Sequence, residues 1–207
     1  MKYDVELLRQ ENYKPTFWSG GMATELTTYP LGSDYASQNF LWRLGVAKID
    51  ILESTFSNLP KVSRKLMAIE GTITLDHEDH YKIQLNTFDQ DDFIGDWKTK
   101  TYGKASVFNL MTRENYNGEL IHLNINPNKQ LKFEYKVPLN KDLVAICFYT
   151  VNGGFNFTIN DKIFETVRND LIIINCINSN PTHEFTLANN ISEITNIIVS
   201  VIYRNRA

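Results

Sequence analysis

The chain has 207 residues, 43% apolar and 22% charged, with a net charge of −3. That is the composition of a soluble globular protein with room for one sizeable domain or two small ones, and the balance of acid and base offers no basic face for nucleic acid. No apolar run approaches the roughly 18 residues of a membrane span, and none of signal-peptide length follows the charged N-terminus, so a cytoplasmic protein with no membrane partner is expected.

In chain order, residues 4–12 read as one or two helical turns. After them the signal is strand: FLWRLGVAKI (40–49), RKLMAIEG (64–71), TITLD (72–76), YKIQLN (81–86), ASVFNLMT (105–112), LIHLNI (121–126), LKFEYKV (131–137), LVAICFYTV (143–151), FNFTI (155–159), LIIINCI (171–177) and HEFTLA (183–188). Each is short, rich in β-branched or aromatic residues and bounded by Asn, Asp, Gly or Pro. Turn signals fall at Asp76–Asp79, Asn126–Asn128, Asn152–Gly154 and Asn160–Asp161. The segment from Ile191 to Tyr203 fits helical spacing at first and strand composition at its end, and is read as a terminal strand after a short lead-in. Many short strands with few helices mean an all-β sandwich or barrel.

Several strands are apolar on both faces, as sheets packed in layers require. In the first of them Trp42, Leu44 and Val46 point one way, and Leu41, Arg43, Gly45 and Ala47 the other. Two readings fit the second face. It lines a polar ligand, or Arg43 snorkels to an edge and Gly45 marks a bulge. A faint internal echo joins the two halves: Glu70-Gly71, a strand pair and then QDDFI (90–94) is answered by Asn152-Gly153-Gly154, a strand pair and then RNDLI (168–172).

The reactive residue types are sparse. His77 and His80 lie in DHEDHY between two strand signals and read as a hydrated hairpin tip; His122 and His183 stand alone. There is no HxH or HExxH spacing. Asp89-Gln90-Asp91-Asp92 lacks the later ligands of a calcium loop and reads as a solvated turn. Trp18-Ser19-Gly20-Gly21 has neither P-loop nor Rossmann spacing and reads as a tight turn allowing close backbone approach. Cys147 and Cys176 sit in apolar runs and read as free buried thiols. Ser57 has no evident base nearby, so hydrogen bonding is its expected role.

FSNLPKVSRKLMAIEG (56–71) resembles the metal-binding strand of cupin β-barrels with its ligands replaced. With the closing glycine set on Gly71, the glutamate position falls on Arg64 and the histidine positions on Ser57 or Asn58 and on Leu59 or Pro60. The histidine of the second cupin motif falls near Tyr102. A guanidinium repels a cation but presents a planar fork of donors that matches a carboxylate or phosphate. The competing reading is an internal pair between Arg64 and Asp96.

WSGGMATEL (18–26), WRLGVA (42–47), FSNLPKVSRKLM (56–67) with Gly71, FDQDDFIGDW (88–97) and FNLMT (108–112) together resemble the HutD/Ves family. The resemblance implies a cupin-like double-stranded β-helix in two cupin-like halves, a bicupin, over residues 1–207, with approximate halves 1–115 and 116–207. It implies no metal and no cofactor, a link to regulation of histidine utilisation, and a small anionic metabolite of the urocanate or formylglutamate class as partner. Trp18, Arg43, Ser57, Arg64, Asp96, Asn109 and Met111 fall on family motif positions. Three positions depart: Gly45 replaces a serine, Lys61 a glycine, and Val107-Phe108-Asn109 a D-F-N. The expected function is binding without catalysis. Arg64 would clamp a carboxylate, Arg43 would add charge, Ser57 and Asn109 would orient polar groups, and Trp18 and Phe93 would wall the pocket. The alternatives are a cofactor-free isomerase or epimerase, with Asp96 or Tyr102 as acid or base, and a structural module. A homodimer is one way to cover the sheet edges such a chain leaves.

Overall fold

The computed structural model describes residues 3–160, 162–176 and 181–206. Asp161, read above as half of a turn, and Ile177, read as the end of a strand, lie outside them. The described residues form strands and turns with a single 3-10 turn and no α-helix, so no helix is long and apolar enough to cross a membrane. Three strands come first: β1 (Asp4–Leu8), β2 (Lys14–Trp18) and β3 (Gly21–Tyr29). The next eight are β4 (Trp42–Ile49), β5 (Glu53–Thr55), β6 (Val62–Gly71), β7 (Ile73–His77), β8 (Tyr81–Leu85), β9 (Gln90–Ile94), β10 (Thr99–Tyr102) and β11 (Ala105–Arg113). The last eight are β12 (Tyr116–Ile125), β13 (Lys129–Lys136), β14 (Lys141–Asn152), β15 (Asn156–Ile159), β16 (Lys162–Glu165), β17 (Leu171–Asn175), β18 (Thr182–Asn189) and β19 (Thr195–Asn205).

The chain divides into two compact units. One is residues 13–117; the other joins the described residues up to Asn12 to those from Gly118 onward. In the first, β4-β11-β6-β9 form one sheet, extended past β4 by β3 and β2, and β5-β10-β7-β8 form the other. Counting β4 as the first of eight, the orders are first-eighth-third-sixth and second-seventh-fourth-fifth, the connectivity of a jelly roll. The second unit repeats it: β12-β19-β14-β17, extended past β17 by β1, and β13-β18-β15-β16.

The repeat extends to single residues. Pairing of β6 with β11 skips Ile69, and pairing of β14 with β19 skips Val151 (as well as Val144 near the start of β14), so each long strand carries a bulge near its C-terminal end. Two residues after each bulge stands a left-handed glycine, Gly71 (φ 79°) and Gly153 (φ 71°). A Cβ on Gly71 would come within 2.6 Å of the Lys104 carbonyl, so the turn into β7 needs glycine. The sequence echo around these glycines marks this repeat.

The N-terminal segment is not helical. Asp4–Leu8 pairs with Leu171–Asn175, and Val5 and Leu7 pack on the core of the C-terminal unit. Alternation at period two, together with an open edge on β17, decides the conformation where the charges alone look helical. Arg9 then forms an ion pair with the buried Asp170. A second correction concerns Gln90–Ile94, a strand and not a solvated turn: it pairs along Ser63–Met67 of β6.

The two interiors are filled differently. In the C-terminal unit Phe133, Phe148, Phe155, Phe157 and Phe185 lie in one buried cluster, in which Phe148 packs on Phe133, Phe157 and Phe185, and Phe157 on Phe185, at ring-centroid distances of 5.1–5.7 Å. Each buried Phe contributes about 1.5–3 kcal/mol. In the N-terminal unit Ile49, Leu66, Ala68, Ile73, Leu75, Leu85 and Val107 fill one end. The other end of the same strands carries the buried polar residues Arg43, Arg64 and Asn109 beside a smaller apolar group.

Candidate functional site

Residues paired directly across antiparallel strands share a face. One row across the large sheet of the N-terminal unit reads Thr28, Arg43, Met111, Arg64, Phe93; the next reads Glu25, Gly45, Asn109, Leu66, Asp91. Arg43 and Arg64 thus flank Met111 on the inner face, two strand spacings or about 9–10 Å apart at Cα.

Arg64 is 5% exposed. Its Cζ lies 4.6 Å from the Phe56 ring centroid and 4.9 Å from that of Phe93, and the two rings are near parallel at 10°. The aromatic faces cover the guanidinium and leave its edge for hydrogen bonds. Nη2 donates a long bond of 3.4 Å to Asn109 Oδ1, and Nε has no partner. The internal pair with Asp96 is not formed: Asp96 Oδ2 accepts from the Lys61 backbone N–H at 2.9 Å, in a turn where Lys61 takes a φ of 61°. Burial presses the Arg64 guanidinium down from its ordinary value to about 10, Tyr35 pulling it up and the Arg43 charge down. It stays a cation at neutral pH.

Arg43 does not snorkel. It is 8% exposed, its Nε donates to Glu25 Oε2 at 2.8 Å, and its Cζ lies 4.8 Å over the Tyr35 ring. Gly45 makes room for it, since a Cβ there would stand 2.9 Å from Arg43 Nη1. The bulge belongs to the neighbouring strand: pairing of β3 with β4 skips Leu26, which brings Glu25 opposite Gly45. Tyr35 packs on a small apolar group of Phe40, Leu59, Val62 and Met111.

Arg43, Arg64, Phe93, Asn109 and Met111 therefore meet. Trp18 does not join them. It pairs with Gly21, which pairs with Ile49, the far end of β4 from Arg43 and about 20 Å along the strand. Its ring lies over Gly20 and Ile51 and is 38% exposed. Ser57 is exposed on the link from β5 to β6. Tyr102 points away from the interior, on the opposite face of β10 to the buried Thr99 and Thr101, with Lys82 Nζ 4.6 Å over its ring. Asp96, spent on its turn, is likewise remote from an acid–base role.

Glu25, Tyr35 and Phe56 also touch the two arginines, and the sequence alone does not point to them. Nor is His77 at a wet tip: it is buried. His77 Nε2 donates to Asp91 Oδ2 at 2.9 Å, and Nδ1 shares a hydrogen bond of 2.8 Å with the Thr99 hydroxyl. Tyr81 donates to the same carboxylate at 3.0 Å, and the imidazole packs 4.6 Å from Phe93. The signal was present: His77 is in phase with the buried Ile73 and Leu75 along β7. Among the described residues no group of three or more His, Cys, Asp or Glu side chains is arranged to hold a metal ion. Cys147 and Cys176 are free thiols, both pushed up by burial.

The HutD family model matches residues 10–184. No curated protein sequence matches the chain. Among solved structures, a conserved protein of unknown function from Pseudomonas aeruginosa PAO1 is similar at TM-score 0.81 and 16% identity, covering 96% of this chain and 98% of that one. HutD from Pseudomonas fluorescens SBW25 gives TM-score 0.72 at 16% identity over 99% and 100%. Oxalate decarboxylase from Lactobacillus farciminis, solved as a formate complex, gives 0.67 at 9% over 97% and 86%. At these identities the structural matches show a shared all-β, cupin-like fold. The family match spans most of the sequence and takes in every residue of the two arginine rows: the chain belongs to the HutD family.

Proposed function

We propose that this protein is a metal-free bicupin that binds a small carboxylate metabolite between Arg43 and Arg64, in the cytoplasm, and that binding serves regulation of histidine utilisation. The observation that carries the reading is Arg64: a buried cation with aromatic rings on its faces, no carboxylate partner among the described residues and an unpaired Nε. A buried charge left in that state is costly, and a bound carboxylate is the group that relieves it, by charge-assisted hydrogen bonds of about 1.5–3 kcal/mol each. Arg43 adds positive field, Asn109 offers an amide, and Phe93, Phe56 and Met111 supply apolar wall. The nearby carboxylates are held in partnerships of their own, Glu25 with Arg43 and Asp91 with His77 and Tyr81, which favours binding over turnover. The metabolites of first choice are urocanate and formylglutamate. Isothermal titration of urocanate, formylglutamate, histidine and formate tests the proposal. Binding to the wild type that is lost in Arg64→Ala is expected; no binding at all, or undiminished binding to the variant, defeats it.

A further inference from the structure

The two arginines differ in one respect: among the described residues Arg43 has a counter-ion and Arg64 has none. Glu25 Oε2 accepts from Arg43 Nε, and in this pair the arginine side chain is 10% exposed and the glutamate 34%, so the carboxylate stands at the wetter end. Glu25 lies opposite Gly45, Gly45 opposite Asn109, and Asn109 touches Arg64. The other nearby charges are turned elsewhere: Asp91 toward His77 and Tyr81, Lys65 toward Asp92 on the outer face. A molecule with one carboxylate on Arg64, lying across Asn109, therefore reaches the Arg43 guanidinium that rests over Gly45, and meets Glu25 beside it at its far end.

Resting on the anion-binding reading above, we infer that Glu25 is a specificity-determining residue that restricts the site to ligands with a single carboxylate and an uncharged far end. A second carboxylate reaching Arg43 finds its place taken and faces a like charge, the repulsive element that discriminates between otherwise similar ligands. An uncharged N–H or O–H at that end finds an acceptor. Of the two metabolites named above, this favours urocanate over formylglutamate.

The test uses a pair that differs in charge at one end, glutarate and its monomethyl ester, titrated into isotopically labelled protein and followed by chemical shift, which reads millimolar affinities. The wild type is expected to bind the half-ester about tenfold or more tightly than the diacid. Glu25→Gln keeps the hydrogen bond to Arg43 and removes the charge, and should erase or reverse the preference; Glu25→Asp should retain it. A wild type that takes the diacid as well as the half-ester, or a Glu25→Gln variant with an unchanged ratio, overturns the inference while leaving the carboxylate site standing. If neither compound binds, the carboxylate site itself falls and the inference with it. Unchanged thermal melting of both variants ties any altered ratio to charge.

Discussion

Arg64 and Ile146 occupy the same position in the two units. Each precedes the bulge of its long strand by the same interval, Ile69 in one and Val151 in the other, and each pairs with the last strand of its unit on one side and the sixth on the other: Met111 and Phe93 for Arg64, Val201 and Ile174 for Ile146. The next row repeats the contrast, with Asn109 and Asp91 beside Leu66 against Val199 and Ile172 beside Phe148. One backbone plan thus carries a buried cation in one unit and apolar side chains at the matching positions of the other. The polar end of the N-terminal unit is not required by the fold.

It follows that Arg64 is held at a cost in stability. Replacing a buried, poorly compensated charge by an apolar side chain of similar length is often neutral or stabilising. Arg64→Met should leave the urea-unfolding free energy unchanged or raise it by about 1–3 kcal/mol. A loss of several kcal/mol would mean that the guanidinium is a structural strut.

The pH dependence separates a guanidinium site from an imidazole site. Arg64 is protonated below about 10, so its attraction for a carboxylate is fully present through the neutral range and is lost as pH rises through that value. Carboxylate affinity should be flat from about pH 6 to 9, whereas an imidazole anchor would lose it near pH 6.5. Stability moves the other way. Between about 10 and the higher value of an ordinary guanidinium, the unfolded chain holds more protons at this residue than the folded one, so the Arg64 contribution to stability rises with pH across that window.

His77 supports the platform under Arg64 through Phe93. Truncating it removes a fully buried ring and leaves the Asp91 carboxylate and the Thr99 hydroxyl each short of a partner. His77→Ala should lower stability by about 2–4 kcal/mol in urea unfolding. A loss within about 0.5 kcal/mol, the size of a surface substitution, would contradict the buried network.

Gly45→Ser places a side chain where the Arg43 guanidinium now lies, with the Thr24 carbonyl 3.1 Å away on the other side. The guanidinium is the free end of a flexible side chain and can move, so the fold should survive with a loss below about 1.5 kcal/mol. The Glu25–Arg43 ion pair should be displaced, visible as a shifted Arg43 Nε–H resonance. An unmoved resonance would show that Arg43 does not rest over Gly45.

Much of this site was legible because it is written at period two. Arg43 and Gly45, Arg64 and Leu66, and Asn109 and Met111 each stand two residues apart on one strand, and glycines 71 and 153 mark the repeat. What was not legible depends on long-range pairing. Glu25 reaches the site only because a bulge at Leu26 sets its register. β9 looked like a solvated turn because Asp91 and Asp92 disfavour strands, until pairing with β6 and the buried His77 override that preference. β2 and β3 were invisible for a related reason, since KPTFW is exposed throughout and GMATELTTY is mostly half-buried, so neither shows clean alternation. The misplacement of Trp18 has the same origin: its motif neighbours are close in sequence, but β4 carries Arg43 to the opposite end of the sheet.

The central claim is that Arg64 Nε, which has no hydrogen-bond partner in the protein, donates to the bound carboxylate. The most direct measurement is the nitrogen-15 resonance of the Arg64 Nε–H, assigned by its absence from Arg64→Met and followed during titration with urocanate and formylglutamate. A saturable downfield shift of this resonance, with no binding to Arg64→Met, is the predicted result. A ligand that binds while the Arg64 resonance stays in place would contradict it.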